Sequence, residues 1–214
     1  MRPVFISGIG TEVGKTLVAA IVTRALQADY WKPVQAGFNK TTDAETVKVL
    51  AGNNTVVIPE VYQLHMAASP HIAAREENIN INLTEIEKAW QQIKSEKPLV
   101  IEGAGGLLVP LNKDDKVLDL IKILNAVVIL VSRHYLGSIN HSLMSATVCQ
   151  LHRLDVAGWM FTDTYLSYEN EIIEWSGFPS LGSIPFEKEI NNEYIDRMAE
   201  KIRSNLMERL SSFQ

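Results

Sequence analysis

The chain has 214 residues, of which 46% are hydrophobic and 21% charged, which suits a folded core and excludes a disordered chain. Its 20 lysines and arginines against 25 acidic residues leave a net charge of −5, which argues against a polybasic surface for nucleic acid or an anionic membrane. The single cysteine, Cys149, excludes an intramolecular disulfide framework, so we expect a cytoplasmic protein with no nucleic-acid or membrane partner.

Short apolar segments alternate with helical patterns along the chain. In chain order we predict a strand at 4–6, a helix at 16–26, a turn at 51–54, an irregular stretch with a functional loop or short helix at 55–82, a helix at 83–94, strands at 99–101 and 127–131, a helix at 138–151, a strand at 157–161 and a helix at 194–210. The strand segments are continuously apolar, as in strands buried on both faces. The alternation predicts one α/β domain over 1–214, with a mostly parallel sheet and helices on both faces.

The C-terminal stretch 190–210 carries mixed charge, and we interpret it as a solvated surface helix. Ligands of parallel sheets bind beyond the carboxyl ends of the strands. Candidate functional residues are therefore sought in the loops that follow the apolar segments.

The first such loop, residues 8–16, has the sequence Gly-Ile-Gly-Thr-Glu-Val-Gly-Lys-Thr and lies between a strand pattern and a helix pattern. Glycines allow backbone N–H groups to converge on a phosphate at a helix N-terminus. Lys15 supplies a cation for the β and γ oxygens, and Thr16 offers a hydroxyl to Mg²⁺. The loop predicts a nucleoside triphosphate site on a three-layer fold like that of the P-loop NTPases.

The glycine spacing departs from the strict phosphate-loop template. The template places a glycine where Ile9 stands, and here Gly8 and Gly10 flank that position. A dinucleotide fingerprint needs its third glycine at position 13, which is Val13. The segment is therefore a variant phosphate loop and not a dinucleotide motif.

Three charged residues outside the loop are candidates for the same site. Glu102 follows an apolar strand and precedes Gly-Ala-Gly-Gly, so it either reaches the metal of a neighbouring phosphate loop or caps a turn. Asp43 precedes a helical stretch, and spacing alone favours a helix cap. Lys32, within a short apolar segment, either snorkels to water or pairs with an anion such as a transferring phosphoryl group.

Taken together, several segments resemble the dethiobiotin synthetase family over nearly the whole chain. They are GIGTEVGKT at 8–16, KPVQAG at 32–37, Asp43-Ala44, SPH at 69–71, EGAGG at 102–106, LGSINH at 136–141, AGW at 157–159 and GSIP at 182–185. The resemblance implies a homodimeric cyclo-ligase of the P-loop class. It would convert 7,8-diaminononanoate, CO₂ (bicarbonate) and Mg-ATP to dethiobiotin, ADP and phosphate.

The resemblance also implies roles for individual residues, and it reverses the preference for Asp43 as a cap. The implied catalytic residues are Lys15, Lys32 and Thr11, and the implied Mg²⁺ ligands are Thr16, Asp43 and Glu102. The residues implied to bind ATP and its metal are Glu12, Val13, Gly14, Lys15, Thr16, Leu17, Asp43, Glu102, Gly103, Ala104, Gly105, Thr162, Asp163, Ile184, Pro185 and Phe186. Those implied to bind the diamine are Thr11, Ala36, Ser69 and residues 103–105, with Leu136, Gly137 and Asn140 of the partner subunit at its distal carboxylate.

Three positions depart from the family pattern. Ala36 stands where Ser or Thr is frequent, Tyr135 where some members have lysine, and Thr162 where an asparagine commonly contacts the adenine edge. The last departure leaves open whether ATP is preferred over other triphosphates.

Two other classes remain as alternatives. A glutamine-dependent amidoligase needs a cysteine nucleophile, but Cys149 lies in a helix pattern without a glycine elbow and is interpreted as a core residue. A partitioning or scaffold ATPase would carry a second lysine five residues before Lys15, where Gly10 stands. The five histidines show no metal-ligand spacing.

Overall fold

The computed structural model describes residues 2–38, 41–166 and 168–213. The strands are β1 Val4–Gly8, β2 Asp29–Trp31, β3 Val34–Ala36, β4 Val57–Ile58, β5 Tyr62–Leu64, β6 Leu99–Gly106, β7 Val127–Arg133, β8 Val156–Thr162 and β9 Ser180–Ile184. The helices are α1 Lys15–Leu26, α2 Asp43–Ala51, α3 Pro70–Glu76, α4 Leu83–Gln92, α5 Val117–Ile123, α6 Ser138–Leu151, α7 Glu169–Ser176 and α8 Asn192–Ser211.

Seven strands form one parallel sheet in the order β4-β2-β6-β1-β7-β8-β9, and β3 pairs with β5 in a separate parallel pair. The predicted parallel α/β fold is confirmed. After β1 the chain forms β2 and β4 on one side, returns with β6 between β1 and β2, and then continues on the other side of β1 through β7, β8 and β9. Such a change of direction opens a crevice at the carboxyl ends of the central strands.

Two hydrophobic cores cover the two faces of the sheet. Val4 and Ile6 of β1 pack in the core that contains α1, α2 and α8, whereas Phe5 packs in the core that contains α3 to α7. Alternate residues of a strand point to opposite faces, so a continuously apolar strand feeds both cores. This arrangement gives the predicted three layers.

The C-terminal helix is not the fully solvated surface helix that its mixed charge suggested. One face of α8, which includes Ile195, Ile202 and Leu206, is buried in the core beside α1. Its charged residues occupy the opposite face, so the amphipathic pattern, not the net composition, decides its position. The stretch 55–82 is also more regular than expected, since it contains β4, β5 and α3.

Within the described residues, no helix combines the length and the apolar character needed to cross a membrane.

Candidate active site

The phosphate loop joins β1 to α1 at the crevice. A Cβ on Gly8 would lie 2.6 Å from the Val13 side chain and 2.8 Å from the Gly10 carbonyl, so the loop can fold back only over a glycine. Gly14 caps α1 in the left-handed region, with φ +86, and Glu12 is also left-handed, with φ +55. The backbone therefore curls around the N-terminus of α1, which is the geometry that binds anions.

Two lysines of the site are buried, and each has a defined partner. Lys15 Nζ donates to the carbonyl of Gly10 at 2.8 Å, which holds its side chain back over the loop. Lys32 Nζ donates to Asp43 Oδ2 at 2.5 Å and to Glu102 Oε1 at 3.0 Å. The open choice for Lys32 is thereby resolved, because it pairs with anions and does not reach out to water.

Thr16 connects the phosphate loop to the carboxylates. Its Oγ1 lies 3.0 Å from Asp43 Oδ1 and 2.9 Å from Glu102 Oε1, and its single hydrogen can be donated to one of them at a time. The cluster of Thr16, Lys32, Asp43 and Glu102 is drawn from α1, α2, β6 and the segment after β2. A hydroxyl and two carboxylates thus converge beside the phosphate loop.

The pKa values of the charged residues in this cluster are set by two opposing effects, burial and the charges of their neighbours. Burial lowers the pKa of Lys15 to about 8, with Glu102 opposing the shift and Lys32 adding to it. Burial also acts to lower the pKa of Lys32, but Glu102 and Asp43 outweigh it and the pKa is raised. For Asp43, burial opposes the charge, yet Lys32 and the Thr16 hydroxyl hold the carboxyl pKa below its usual value. Lys32 and Asp43 are therefore a charged pair at neutral pH.

The cap of α2 is Thr42 and not Asp43, so the interpretation that spacing favoured is wrong. Thr42 Oγ1 accepts from the Glu45 N–H at 3.1 Å, and Glu45 Oε2 accepts from the Thr42 N–H at 2.7 Å, which is a capping box. With the cap supplied one residue earlier, the Asp43 carboxylate is free to contact Lys32 and Thr16.

Sequence reasoning missed two residues of the cluster. Tyr30 is fully buried and donates its hydroxyl to Glu102 Oε2 at 2.8 Å. Gln35 accepts from the Asp43 N–H at 3.3 Å and donates to the Gly37 carbonyl at 2.9 Å. Tyr30 lies in the three-residue strand β2, and Gln35 in the three-residue strand β3, so neither segment is long enough to give a periodic signal in the sequence.

A cavity of about 910 Å³ opens above the cluster, within the size range of small-ligand pockets. It brings together twelve of the predicted site residues, which are Thr11, Glu12, Gly14, Lys15, Thr16, Lys32, Ala36, Asp43, Ser69, Glu102, Ala104 and Gly105. Ser69 Oγ lies 3.0 Å from Nδ1 of His71, which orients its hydroxyl. These twelve residues, predicted to bind the triphosphate, its metal or the diamine, therefore share one cavity.

Other predicted residues lie outside this cavity. Leu136 and Gly137 directly precede α6, and Asn140 lies in its first turn; Leu136 is 88% exposed. Ile184 ends β9 and is buried, and Phe186 two residues later is 71% exposed. A Cβ on Gly103 would lie 2.6 Å from the Phe5 ring, so that glycine also serves packing beneath the site.

Thr162 and Asp163, expected at the nucleotide base, are engaged with the protein. Thr162 Oγ1 donates to the Val13 carbonyl at 2.9 Å. Asp163 Oδ2 accepts from Arg133 Nε at 3.1 Å, and its Oδ1 accepts from the Thr164 N–H at 2.8 Å. The Thr162 side chain therefore bonds to the phosphate loop, and the Asp163 side chain bonds to Arg133 and to the Thr164 backbone.

The residues present fit a hard divalent cation. Across the described parts of the chain, no group of three or more His, Cys, Asp or Glu side chains could hold a metal by itself. Thr16, Asp43 and Glu102 offer hydroxyl and carboxylate oxygens, which are the donors that Mg²⁺ prefers. Mg²⁺ usually keeps several waters and phosphate oxygens as ligands, so this small protein donor set matches its habit.

Comparison with known proteins is consistent with this geometry. A family described as an AAA domain matches residues 2–194. The chain is 43% identical to the ATP-dependent dethiobiotin synthetase of Cytophaga hutchinsonii over 97% of the chain and all of the relative, and 40% identical to that of Agrobacterium fabrum over 88% of each.

Solved structures with the same fold include a cell division ATPase and a plasmid partition protein. The cell division ATPase MinD of Pyrococcus furiosus is 13% identical, with a TM-score of 0.61 over the whole of both chains. A plasmid partition protein of Borrelia burgdorferi bound to AMPPNP is 14% identical, with the same TM-score and coverage. At such low identity these likenesses show the fold alone.

Proposed function

The chain belongs to the ATP-dependent dethiobiotin synthetase family, and from that premise we propose how its cavity carries out the reaction. The protein is a ligase of the cyclo-ligase type that makes dethiobiotin in biotin biosynthesis and uses ATP. One observation carries the mechanistic proposal: Lys15 and Thr16 of the phosphate loop lie against the buried Lys32 and Glu102 and the half-buried Asp43, and all five residues line a single cavity.

The first step is carbamate formation on the diamine. One amine of 7,8-diaminononanoate forms a C–N bond to CO₂ and releases a proton, which balances the proton taken up when bicarbonate loses water to give CO₂. The product is an anion in a partly buried cavity, where an unpaired charge is costly. Lys15 and Lys32 line the cavity and supply the compensating positive charge, and Thr11 supplies a hydroxyl at the same wall.

Phosphoryl transfer follows. A carbamate oxygen bonds to the γ-phosphorus as the bond to the β-phosphate oxygen breaks and ADP leaves. Positioning and charge stabilisation dominate such transfers, so the loop amides and Lys15 do the work by holding the phosphates in line. Thr16, Asp43 and Glu102 would hold Mg²⁺, which when bound neutralises charge on the phosphates.

Ring closure completes the reaction. The second amine attacks the carbonyl carbon of the carbamic-phosphoric anhydride, the C–O bond to phosphate breaks, and the proton lost by the amine leaves with the phosphate. Ala104 and Gly105 line the cavity with almost no side chain, so the substrate can approach the backbone closely. Ser69 also lines the cavity and would offer its hydroxyl to the diamine, whereas Ala36 offers none.

We also propose that two copies complete the site. The start of α6 exposes Leu136, and the same helix exposes Met144 beside an apolar cavity of about 360 Å³ that includes Leu108 and Val109. An exposed apolar surface of this kind is typical of protein interfaces. A second copy would cover it and bring Leu136, Gly137 and Asn140 of the partner subunit to the distal carboxylate of the diamine.

The nucleoside part of ATP is assigned to the residues after β8 and β9. Leu17 and Asp163 would border it on one side, and Ile184, Pro185 and Phe186 on the other. Phe186 offers an exposed ring on which a base can stack. A cytoplasmic location fits the use of ATP and the single thiol.

Purified protein tests the proposal directly. With Mg-ATP, bicarbonate and 7,8-diaminononanoate, we expect phosphate release to depend on the diamine and dethiobiotin to appear by mass spectrometry. Phosphate release without the diamine would favour a scaffold ATPase, and dependence on glutamine an amidoligase. The second alternative also conflicts with Cys149, which is fully buried and whose thiol pKa burial raises to about 12.

A further inference from the structure

The phosphate loop is held by side chains at the ends of two neighbouring strands, and neither side chain lines the cavity. Thr162 ends β8, is only 6% exposed, and donates Oγ1 to the Val13 carbonyl at 2.9 Å. Arg133 ends β7 and donates Nη1 to the Glu12 carbonyl at 3.3 Å. Two successive carbonyls of the loop are therefore fixed by side chains from the sheet.

Fixing these carbonyls also fixes the amides that follow them. In a trans peptide the C=O and the next N–H point in opposite directions. With the Val13 carbonyl drawn toward Thr162, the Gly14 N–H is directed to the other side, and the Glu12 carbonyl sets the Val13 N–H in the same way. These N–H groups belong to the loop that would bind the phosphates.

The same side chain packs against the strained part of the loop. A Cβ on Gly14, at φ +86, would lie 3.2 Å from the Thr162 methyl group, so the methyl group covers that Cα. Glu12 has φ +55 without being a glycine, a conformation that persists only where the surroundings impose it. Thr162 thus contacts the loop with both branches of its side chain.

The polar atoms of Thr162 and Asp163 are poorly placed to recognise the nucleotide base, because they already bond within the protein. The Thr162 hydroxyl has one hydrogen, and it is donated to Val13. Both oxygens of Asp163 accept bonds within the protein, from Arg133 and from the Thr164 N–H. The Asp163 carboxylate therefore orients the Arg133 guanidinium toward the loop.

We propose that Thr162 is a positioning residue that braces the phosphate loop for triphosphate binding, with Arg133, oriented by Asp163, as a weaker second brace. This inference rests on the proposed function only in that the loop binds a triphosphate. Because the brace acts on the loop amides, it serves every triphosphate equally, whatever the base.

The test compares Thr162→Val, which keeps the shape and loses the donor, with Thr162→Ser, which keeps the donor. Binding of Mg-ATP, Mg-GTP, Mg-CTP and base-free Mg-tripolyphosphate is measured by calorimetry. Loss of the bond weakens binding of all four by about tenfold in Thr162→Val, and Thr162→Ser binds like wild type. Arg133→Met weakens them by about threefold, since its bond is longer and more exposed.

Two results would overturn the brace. If Thr162→Val lost affinity for one nucleotide but bound tripolyphosphate normally, the residue would read the base. If its thermal unfolding midpoint fell while all four affinities stayed unchanged, the bond would serve folding alone. Should Thr162→Val be insoluble, Arg133→Met carries the same comparison. Turnover of the diamine is measured separately, so a failure of the proposed reaction leaves the binding result readable.

Discussion

Tyr30 and Glu102 are joined by a hydrogen bond of 2.8 Å from the phenol to Oε2, inside the core of the protein. The other oxygen of the carboxylate, Oε1, faces Lys32 and Thr16. Burial and the neighbouring carboxylate raise the pKa of Tyr30 well above its usual value, so it remains a donor throughout the working pH range. Tyr30 thus fixes the orientation in which Glu102 meets the rest of the cluster.

We expect Tyr30→Phe to lower the affinity for Mg²⁺ more than the affinity for the diamine. The substitution leaves a buried carboxylate oxygen without its donor and allows the carboxylate to rotate. Loss of a residue that orients a metal ligand lowers metal affinity by about tenfold. The Mg²⁺ concentration for half-maximal turnover should rise accordingly, with the KM for the diamine unchanged. An unaltered Mg²⁺ dependence would remove Tyr30 from this role.

Lys32→Met should abolish measurable turnover and also lower stability. The variant removes the cation shared by Asp43 and Glu102, and it leaves the buried Glu102 carboxylate unpaired beside the half-buried Asp43 carboxylate. Breaking a buried ion pair costs about 3–5 kcal/mol, which chemical denaturation can measure. Lys88→Met is the control, because Lys88 is exposed and its one ion pair among the described residues is with Glu85 on α4. Retained turnover in Lys32→Met would contradict the charge-stabilising role.

Substitutions at the adjacent residues Thr42 and Asp43 should separate an effect on stability from an effect on turnover. Thr42→Ala removes the cap of α2 and should lower the free energy of unfolding by about 1 kcal/mol while turnover stays near wild type. Asp43→Ala keeps the cap but removes the partner of Lys32 and Thr16, so turnover should be lost. Steady-state kinetics and denaturant unfolding of both variants check the pair. A capping role for Asp43 would give the opposite result.

The thiol of Cys149 should be inert in the native protein. It is fully buried in the core, and burial raises its pKa to about 12, so the reactive thiolate is scarce at pH 8. Treatment with a disulfide reagent should release no chromophore until denaturant is added, and Cys149→Ser should retain turnover. Stoichiometric labelling of the native chain would show that α6 opens readily.

The parts of the site that sequence predicts are those that local sequence encodes. The phosphate loop is contiguous, and Glu102 follows a long apolar segment, so both could be located before the fold was known. Tyr30 lies in the three-residue strand β2, which is too short to give a periodic pattern. The bond from Thr162 to Val13 joins residues 149 apart and depends on β8 lying beside the loop, which only the fold reveals.

Asp43 shows why spacing alone misled. A Thr-Asp pair before a helix offers two side chains that can cap it, and the sequence does not say which one is used. The capping box between Thr42 and Glu45 takes that role, and the packing of α2 beside α1 then brings Asp43 to Thr16. Competition between a local and a tertiary partner is settled by the fold.

The stability of the protein should fall in mildly acid solution because of His134. Its side chain is 3% exposed, and within the described residues neither ring nitrogen makes a hydrogen bond. Burial lowers its pKa below the usual 6.5, and the nearby carboxylates of Glu169, at 3.8 Å, and Asp163 offset this only in part. The rings of Phe161 and Tyr168 pack against it.

The sign of the effect follows from proton uptake. The unfolded chain takes up a proton on His134 near its ordinary pKa, whereas the folded chain resists protonation until a lower pH. The contribution of neutral His134 to the free energy of unfolding is therefore fully present above about pH 6.5. It is lost as the pH falls from there toward the folded-state pKa. The slope to be measured is that of the free energy of unfolding against pH. In His134→Phe this contribution to the slope disappears, while His65→Gln, at an exposed position, keeps it. Urea unfolding of the three proteins between pH 7.5 and 5 measures the slope, and equal slopes for wild type and His134→Phe would contradict a buried neutral imidazole.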